Sequence, residues 1–165
     1  MNRLNYYSYI EERLNILSFR IIGRGHFNMY DINIHCEFFY MHLLNQIYGW
    51  NLKNANDMQR NVPAIDLIYE ENKLVIQVSS TNTTEKVQSS LNKLDAKYKG
   101  FQFKFVSIAK PASNLQNHHY TLPQGLDISF NPQDDIYDIN SILSKVLSLK
   151  AEEQKKIYEF VKSEL

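Results

Sequence analysis

Two hydrophobic periods alternate along the chain, and each change of period marks an element. Leu4, Tyr7, Ile10, Leu14, Leu17 and Ile21 recur every three or four residues, so residues 3 to 22 read as an amphipathic helix ended by Gly23 and Gly25. A second helix, from about 32 to 48, takes Asp31 or Asn33 as its cap and Gly49 as its stop. It carries Ile34, Phe38, Met41, Leu44, Ile47 and Tyr48. Glu37 falls one turn from Ile34 and Met41, on or beside the stripe expected to be buried, an unusual place for a glutamate. Residues 51 to 60 are polar and show no apolar period, which predicts a loop.

The pattern then shortens. In NVPAIDLIYEENKLVIQVSSTNTTEK, residues 61 to 86, two apolar runs meet at a short polar turn, the signature of a β-hairpin running into a helix. With Glu71 and Asn72 as the turn, Glu70 pairs with Lys73, Ile68 with Val75, Asp66 with Gln77 and Ala64 with Ser79. Asp66 and Gln77 then stand side by side on the face of Ile68 and Val75. The other face carries Ile65, Leu67, Leu74, Ile76 and Val78, so both sides look covered. An aspartate there is costly unless it is paired or metal-bound.

Asn82 with Glu85 predicts a capped helix over 84 to 99, with Val87, Leu91, Leu94 and Tyr98 on one stripe and Lys86, Lys93 and Lys97 on another. Gly100 ends it, and a strand over 101 to 109 turns Phe101, Phe103 and Phe105 to one face. Leu126 to Phe130 reads as an edge strand. Asp134 or Asp135 caps a helix carrying Ile136, Ile139, Leu143, Val146 and Leu147, and a last helix spans 151 to 164. Strand, strand, helix, strand is the order of an α/β domain whose central mixed sheet has the hairpin and the 101 to 109 strand at its middle and helices on both faces.

An Asp on one strand, an acidic or Gln residue on the next and a Lys two positions later resembles the PD-(D/E)XK nuclease core; here the positions hold Asp66, Gln77 and Ser79. Asn61, Pro63, Ala64-Ile65-Asp66-Leu67, Gln77-Val78-Ser79-Ser80, Lys86 and the DIYDINSIL run from Asp135 to Leu143 look like the SMEK-type branch of that superfamily, which is associated with bacterial defence loci. The resemblance covers most of the chain. It implies a restriction-endonuclease-like fold with extra C-terminal helices, and a DNA-cleaving site in which Glu37, Asp66 and Gln77 hold Mg²⁺ or Mn²⁺. Glu37 stands where several such families place a glutamate of the first core helix. Ser79 cannot supply the usual positive charge, so the resemblance leaves Lys86 to meet the phosphate or orient the water. Gln77 in place of a carboxylate keeps a second class open, a catalytically silent module that binds nucleic acid or a partner protein. A third reading is a structural Asp66–Lys86 ion pair.

Composition narrows this further. The 165 residues suit one domain, and eighteen basic against eighteen acidic residues leave no global field to attract nucleic acid. A local patch must do so, and Lys86, Lys93, Lys97, Lys99, Lys104 and Lys110 stand against Asp95 alone between 86 and 110; of these, Lys93 and Lys97 are the expected nucleic-acid contacts. The single Cys36 excludes an internal disulfide and fits a reducing compartment, where it reads as core filler. No apolar run suits a signal peptide or membrane span, so the cytoplasm is expected, with DNA as partner and a homodimer or defence-complex partner left open. The histidines lack a zinc spacing, and Asp134, Asp135 and Asp138 lack the glycine and terminal glutamate of a calcium loop.

Overall fold

A computed structural model of the protein describes residues 1–58, 62 and 64–165. Asn61 and Pro63 of the resemblance lie outside them. The elements in order are α1 (Asn2–Gly25), α2 (Asp31–Tyr48), β1 (Lys53–Asn54), α3 (Ala55–Met58), β2 (Leu67–Tyr69), β3 (Leu74–Ser79), α4 (Thr84–Asn92), β4 (Gln102–Ser107), α5 (Ser113–Gln116), α6 (Pro132–Asp135), β5 (Ile136–Tyr137), α7 (Ile139–Ser148) and α8 (Ala151–Glu164).

The sheet runs β1-β2-β3-β4-β5, antiparallel through the first three strands and parallel from β3 to β5. Even-numbered residues of β3 and β4, with Ile108, face α1, α2, α7 and α8; Leu74, Ile76, Val78 and Val106 pack there with Leu14, Leu43, Val146 and Val161. Val75, Phe103 and Phe105 face the other way, onto Val87, Leu91 and Leu115 of α4 and α5. The result is the expected α/β arrangement, a central mixed sheet covered by helices on both sides. No helix among the described residues is long and apolar enough to cross a membrane.

The hairpin register is the expected one, with Ile68 opposite Val75 and Leu67 opposite Ile76. Its turn is wider. Glu70–Asn72 form a 3-10 turn, and Lys73 takes the left-handed conformation at φ 50° before donating its N–H to the Glu70 carbonyl. Ile65 packs with Ile68 and Val75 rather than with Leu67, because the chain bends at Ala64, φ 62°, and strand alternation no longer applies.

Several boundaries differ from the sequence reading, each for a local reason. α1 continues through both glycines to Gly25, and no side chain caps α2, which begins behind Tyr30. In α2 the buried side is Cys36, Phe39, Tyr40, Leu43, Leu44 and Ile47, while Ile34 and Phe38 are exposed. That helix is apolar nearly all round, so periodicity could not choose its inner face. The expected loop over 51 to 60 contains the edge strand β1 and the short α3. Leu126 to Phe130 forms only a bridge between Ser129 and Gln102; the edge strand is Ile136–Tyr137, and helix α7 starts after it, where Asp138 makes a reciprocal cap with Ser141. α4 stops at Asn92, seven residues before the expected end at Lys99, and Asp95 caps a 3-10 turn, Ala96–Tyr98. The lysine stripe is therefore broken.

Candidate active site

β2 begins only at Leu67, while β3 runs on to Ser79, so the sheet has a notch beside Gln77 and Val78. There the backbone groups of Val78 have no strand to pair with. Asp66 closes the gap: its own N–H donates to the Ile76 carbonyl at 3.0 Å, its carbonyl accepts from Ala55 at 2.8 Å, and its carboxylate Oδ2 accepts the Val78 N–H at 2.7 Å. The backbone is held from both sides and the side chain continues the ladder.

Gln77 completes the contact that the register implied, donating from Nε2 to the same Oδ2 at 2.7 Å. Only the amide nitrogen can donate to a carboxylate, so this bond fixes the amide's orientation. Nε2 also approaches the Val78 carbonyl at 3.3 Å. Gln77 Oε1 is then left buried with no hydrogen-bond partner, on a side chain only 7% exposed. A buried oxygen without a donor costs on the order of 1–3 kcal/mol.

Glu37 arrives from α2. Together Asn33, Glu37, Asp66, Gln77, Val78, Ser79, Ser80, Thr81, Lys86 and Ile108 line a polar cavity of about 170 Å³. Burial, the charge of Asp66 and a hydrogen bond with it push the Glu37 carboxyl up to about 7. Asp66 is raised to about 6 by burial, against the opposing pull of the Val78 N–H, the Lys86 ammonium and the Glu37 hydrogen bond. Both carboxyls are therefore held above the usual carboxylate range, and the two titrate as a coupled pair that shares a proton below about pH 7.

The structure thus brings Glu37, Asp66, Gln77 and Lys86 to one cavity at the carboxyl ends of β3 and β4. Lys86 is placed by the first turn of α4, where Thr83 rather than Asn82 caps the helix by accepting the Lys86 N–H at 3.2 Å. Asn82 is used differently, donating to Ser107 Oγ and to the Lys110 and Pro111 carbonyls, which ties the loop after β3 to the loop after β4. Ser79 adds no charge, and its hydroxyl accepts the Thr81 N–H at 3.0 Å.

Lys93 and Lys97 are not brought to this cavity. Lys93 lines a separate groove with Glu85, Gln88 and His118, and Lys97 lies over the Tyr98 ring near Ala55 and Phe101. Asn33, in contrast, lines the cavity without having been singled out as a site residue; its position one turn before Glu37 on the same helix face was the available signal.

Nowhere among the described residues do three or more His, Cys, Asp or Glu side chains gather as a metal-binding cluster. The donors in this cavity are two carboxyls and neutral oxygens, a set that suits a hard cation which retains several waters. The orphaned Gln77 Oε1 is the feature that such a cation would satisfy.

No curated protein and no solved structure matches the chain. A family model described as the SMEK domain matches residues 9–147, from the first turns of α1 to the end of α7. The protein therefore belongs to the SMEK-domain family.

Proposed function

We propose that the protein is a divalent-metal-dependent nuclease of the PD-(D/E)XK kind, cleaving DNA phosphodiester bonds. The observation that carries this reading is the pairing of Glu37 and Asp66 across one small cavity with an unpartnered Gln77 oxygen and a lysine beside them. Two half-buried carboxyls that meet beside one lysine, both raised in pKa, are an arrangement that a cation would stabilise in its ionised form. Bacterial defence as its setting rests on the SMEK-type resemblance alone.

Cleavage requires a water made nucleophilic, stabilisation of charge on phosphorus and a proton for the leaving oxygen. A bound Mg²⁺ or Mn²⁺ would supply Lewis acidity and a water of lowered pKa. Glu37 and Asp66 would hold it as anions, with Gln77 Oε1 and the Val78 carbonyl as neutral donors. Two carboxylates balance the ion's charge, so Lys86 keeps its own positive charge for the substrate. Its ammonium, on a long flexible stem, is suited to a non-bridging phosphate oxygen or to the attacking water. Glu37 must lose its proton for this role, which ties binding to pH.

The test is cleavage of plasmid and single-stranded DNA with Mg²⁺ or Mn²⁺, with Asp66→Ala as control. Metal-dependent products that fall at least about 100-fold in the variant support the reading. A second reading, a silent adaptor, is favoured by Ser79, whose hydroxyl is engaged with Thr81 where a lysine would be expected. DNA binding without cleavage under every metal tested selects it.

A further inference from the structure

We infer that Asn82 is a positioning residue for the site: its amide fixes where α4 begins against the sheet and so holds Lys86 at the Glu37–Asp66 cavity. What Lys86 does there rests on the nuclease reading. That Asn82 places it is carried by the hydrogen bonds around the end of β3.

From β3 to the first turn of α4 the chain passes the cavity, and Ser79, Ser80, Thr81 and Lys86 line it. Two of the bonds that shape this stretch are local: the Ser79 hydroxyl accepts the Thr81 N–H at 3.0 Å, and Thr83 Oγ1 accepts the Lys86 N–H at 3.2 Å. Such bonds set the form of a turn but not its place against the next strand. Asn82 Nδ2 reaches across instead, to Ser107 Oγ at 3.0 Å, the Lys110 carbonyl at 3.1 Å and the Pro111 carbonyl at 2.8 Å. Its acceptors are themselves anchored. Ser107 is buried, stands opposite Ser79 in the parallel ladder and donates its hydroxyl to the same Lys110 carbonyl at 2.9 Å. The Ile108 N–H, donated to the Ser79 carbonyl at 3.0 Å, closes the ladder beside it.

Packing alone would not place α4 so closely. Val87 and Leu91 hold the helix to the sheet through apolar contacts, which are non-directional and tolerate a small slide or rotation. The Asn82 bonds are directional and sit one residue before the Thr83 cap, so they fix the start of the helix. Lys86 is half-buried at the end of a long, flexible stem, and its reach into the cavity depends on where that first turn stands. The role calls for an amide. An aspartate of the same shape has no hydrogen to give to the two carbonyls.

The first measurement needs neither metal nor DNA: trace acetylation of the lysines with acetic anhydride, read by mass spectrometry as the rate at Lys86 relative to Lys93 at the far end of the same helix. Well below the Tm of each variant, Asn82→Ala and Asn82→Asp should both raise that ratio at least about threefold, as Lys86 is released to solvent. A lowered Tm with an unchanged ratio would make Asn82 a structural residue only and overturn the inference. The second measurement is DNA cleavage with Mn²⁺. Each Asn82 variant should lower it about tenfold, yet by less than about twofold when Lys86→Met is already present. Losses that multiply in full would overturn the inference as well. A raised Lys86 ratio in a protein that cleaves no DNA with any metal would uphold the placement by Asn82 and remove the nuclease reading instead.

Discussion

At the scale of single residues, Glu37 and Asp66 repel one another once both are ionised, and that repulsion is readable in the pH dependence of stability. Their folded-state pKa values, about 7 and about 6, lie above those of the unfolded chain. Between about pH 4 and pH 7 the native protein therefore binds more protons than the unfolded chain, and stability falls as pH rises through that window. Metal-free protein should show a Tm that declines from pH 5 to pH 7.5, and Glu37→Gln should flatten the decline. A Tm that rises across the window would contradict the shared proton. On the nuclease proposal, Lys86→Met should leave the fold intact yet lower cleavage on the order of 10²-fold, since it would remove the charge proposed to meet the phosphate; unchanged turnover would exclude Lys86 from the reaction. The Asp66–Gln77 adjacency was legible because a hairpin register has only one integer to fix, and the apolar alternation fixed it. Gln77 Oε1 as an orphan was not legible, since it depends on how an amide rotates against one carboxylate.

At the scale of elements, the hairpin turn carries a correctable strain. Lys73 holds φ 50°, a region that costs a side-chain-bearing residue energy and glycine little. Lys73→Gly should raise stability by about 0.5–1 kcal/mol, visible as a higher urea midpoint with unchanged slope; a lower midpoint would mean that the Lys73 side chain matters more than its backbone. The widened turn was invisible in the sequence because a four-residue turn centred on Glu71 and Asn72 preserves the same pairing sum. Elements whose apolar residues form one stripe, such as α1 and α8, were read nearly to their ends. The ends of α2 were legible too, with Gly49 as its left-handed stop, but its inner face was not, since Ile34, Phe38, Phe39 and Leu43 surround it and only packing against its neighbours selects that face. The DIYDI segment misled for a different reason. Asp135 looked like a cap but accepts from Lys104 and Gln102, and Asp138 is the residue that caps α7.

At the scale of the whole molecule, the two apolar layers are joined through a polar pair buried against the sheet. Lys104 of β4 donates to Asp135 at 2.8 Å and to the Tyr137 hydroxyl at 3.0 Å, and it lies over the Trp50 and Tyr137 rings. Asp135→Ala would leave that ammonium buried without its anion and Lys104→Met would leave the carboxylate buried without its cation, so each should cost about 3–5 kcal/mol in urea unfolding, while the double variant should cost clearly less than the sum. Losses that simply add in the double variant would show that packing alone, not the charge pair, holds β4 to α6. The α/β class was legible because the strand, strand, helix, strand order leaves few topologies. Lys97 was misplaced because a break at Asn92 depends on Asp95 competing for the backbone, a local choice that the helical period hides.

The proposed nuclease site requires that the Glu37–Asp66 cavity hold one divalent cation. The most direct measurement is a calorimetric titration of the protein with Mn²⁺, in buffers of different ionisation enthalpy. One ion per chain should bind, with proton release that grows as the pH drops below about 7, where Glu37 is protonated, and Asp66→Ala should abolish the binding. No Mn²⁺ binding by the wild-type chain, or equal binding by Asp66→Ala, would contradict it.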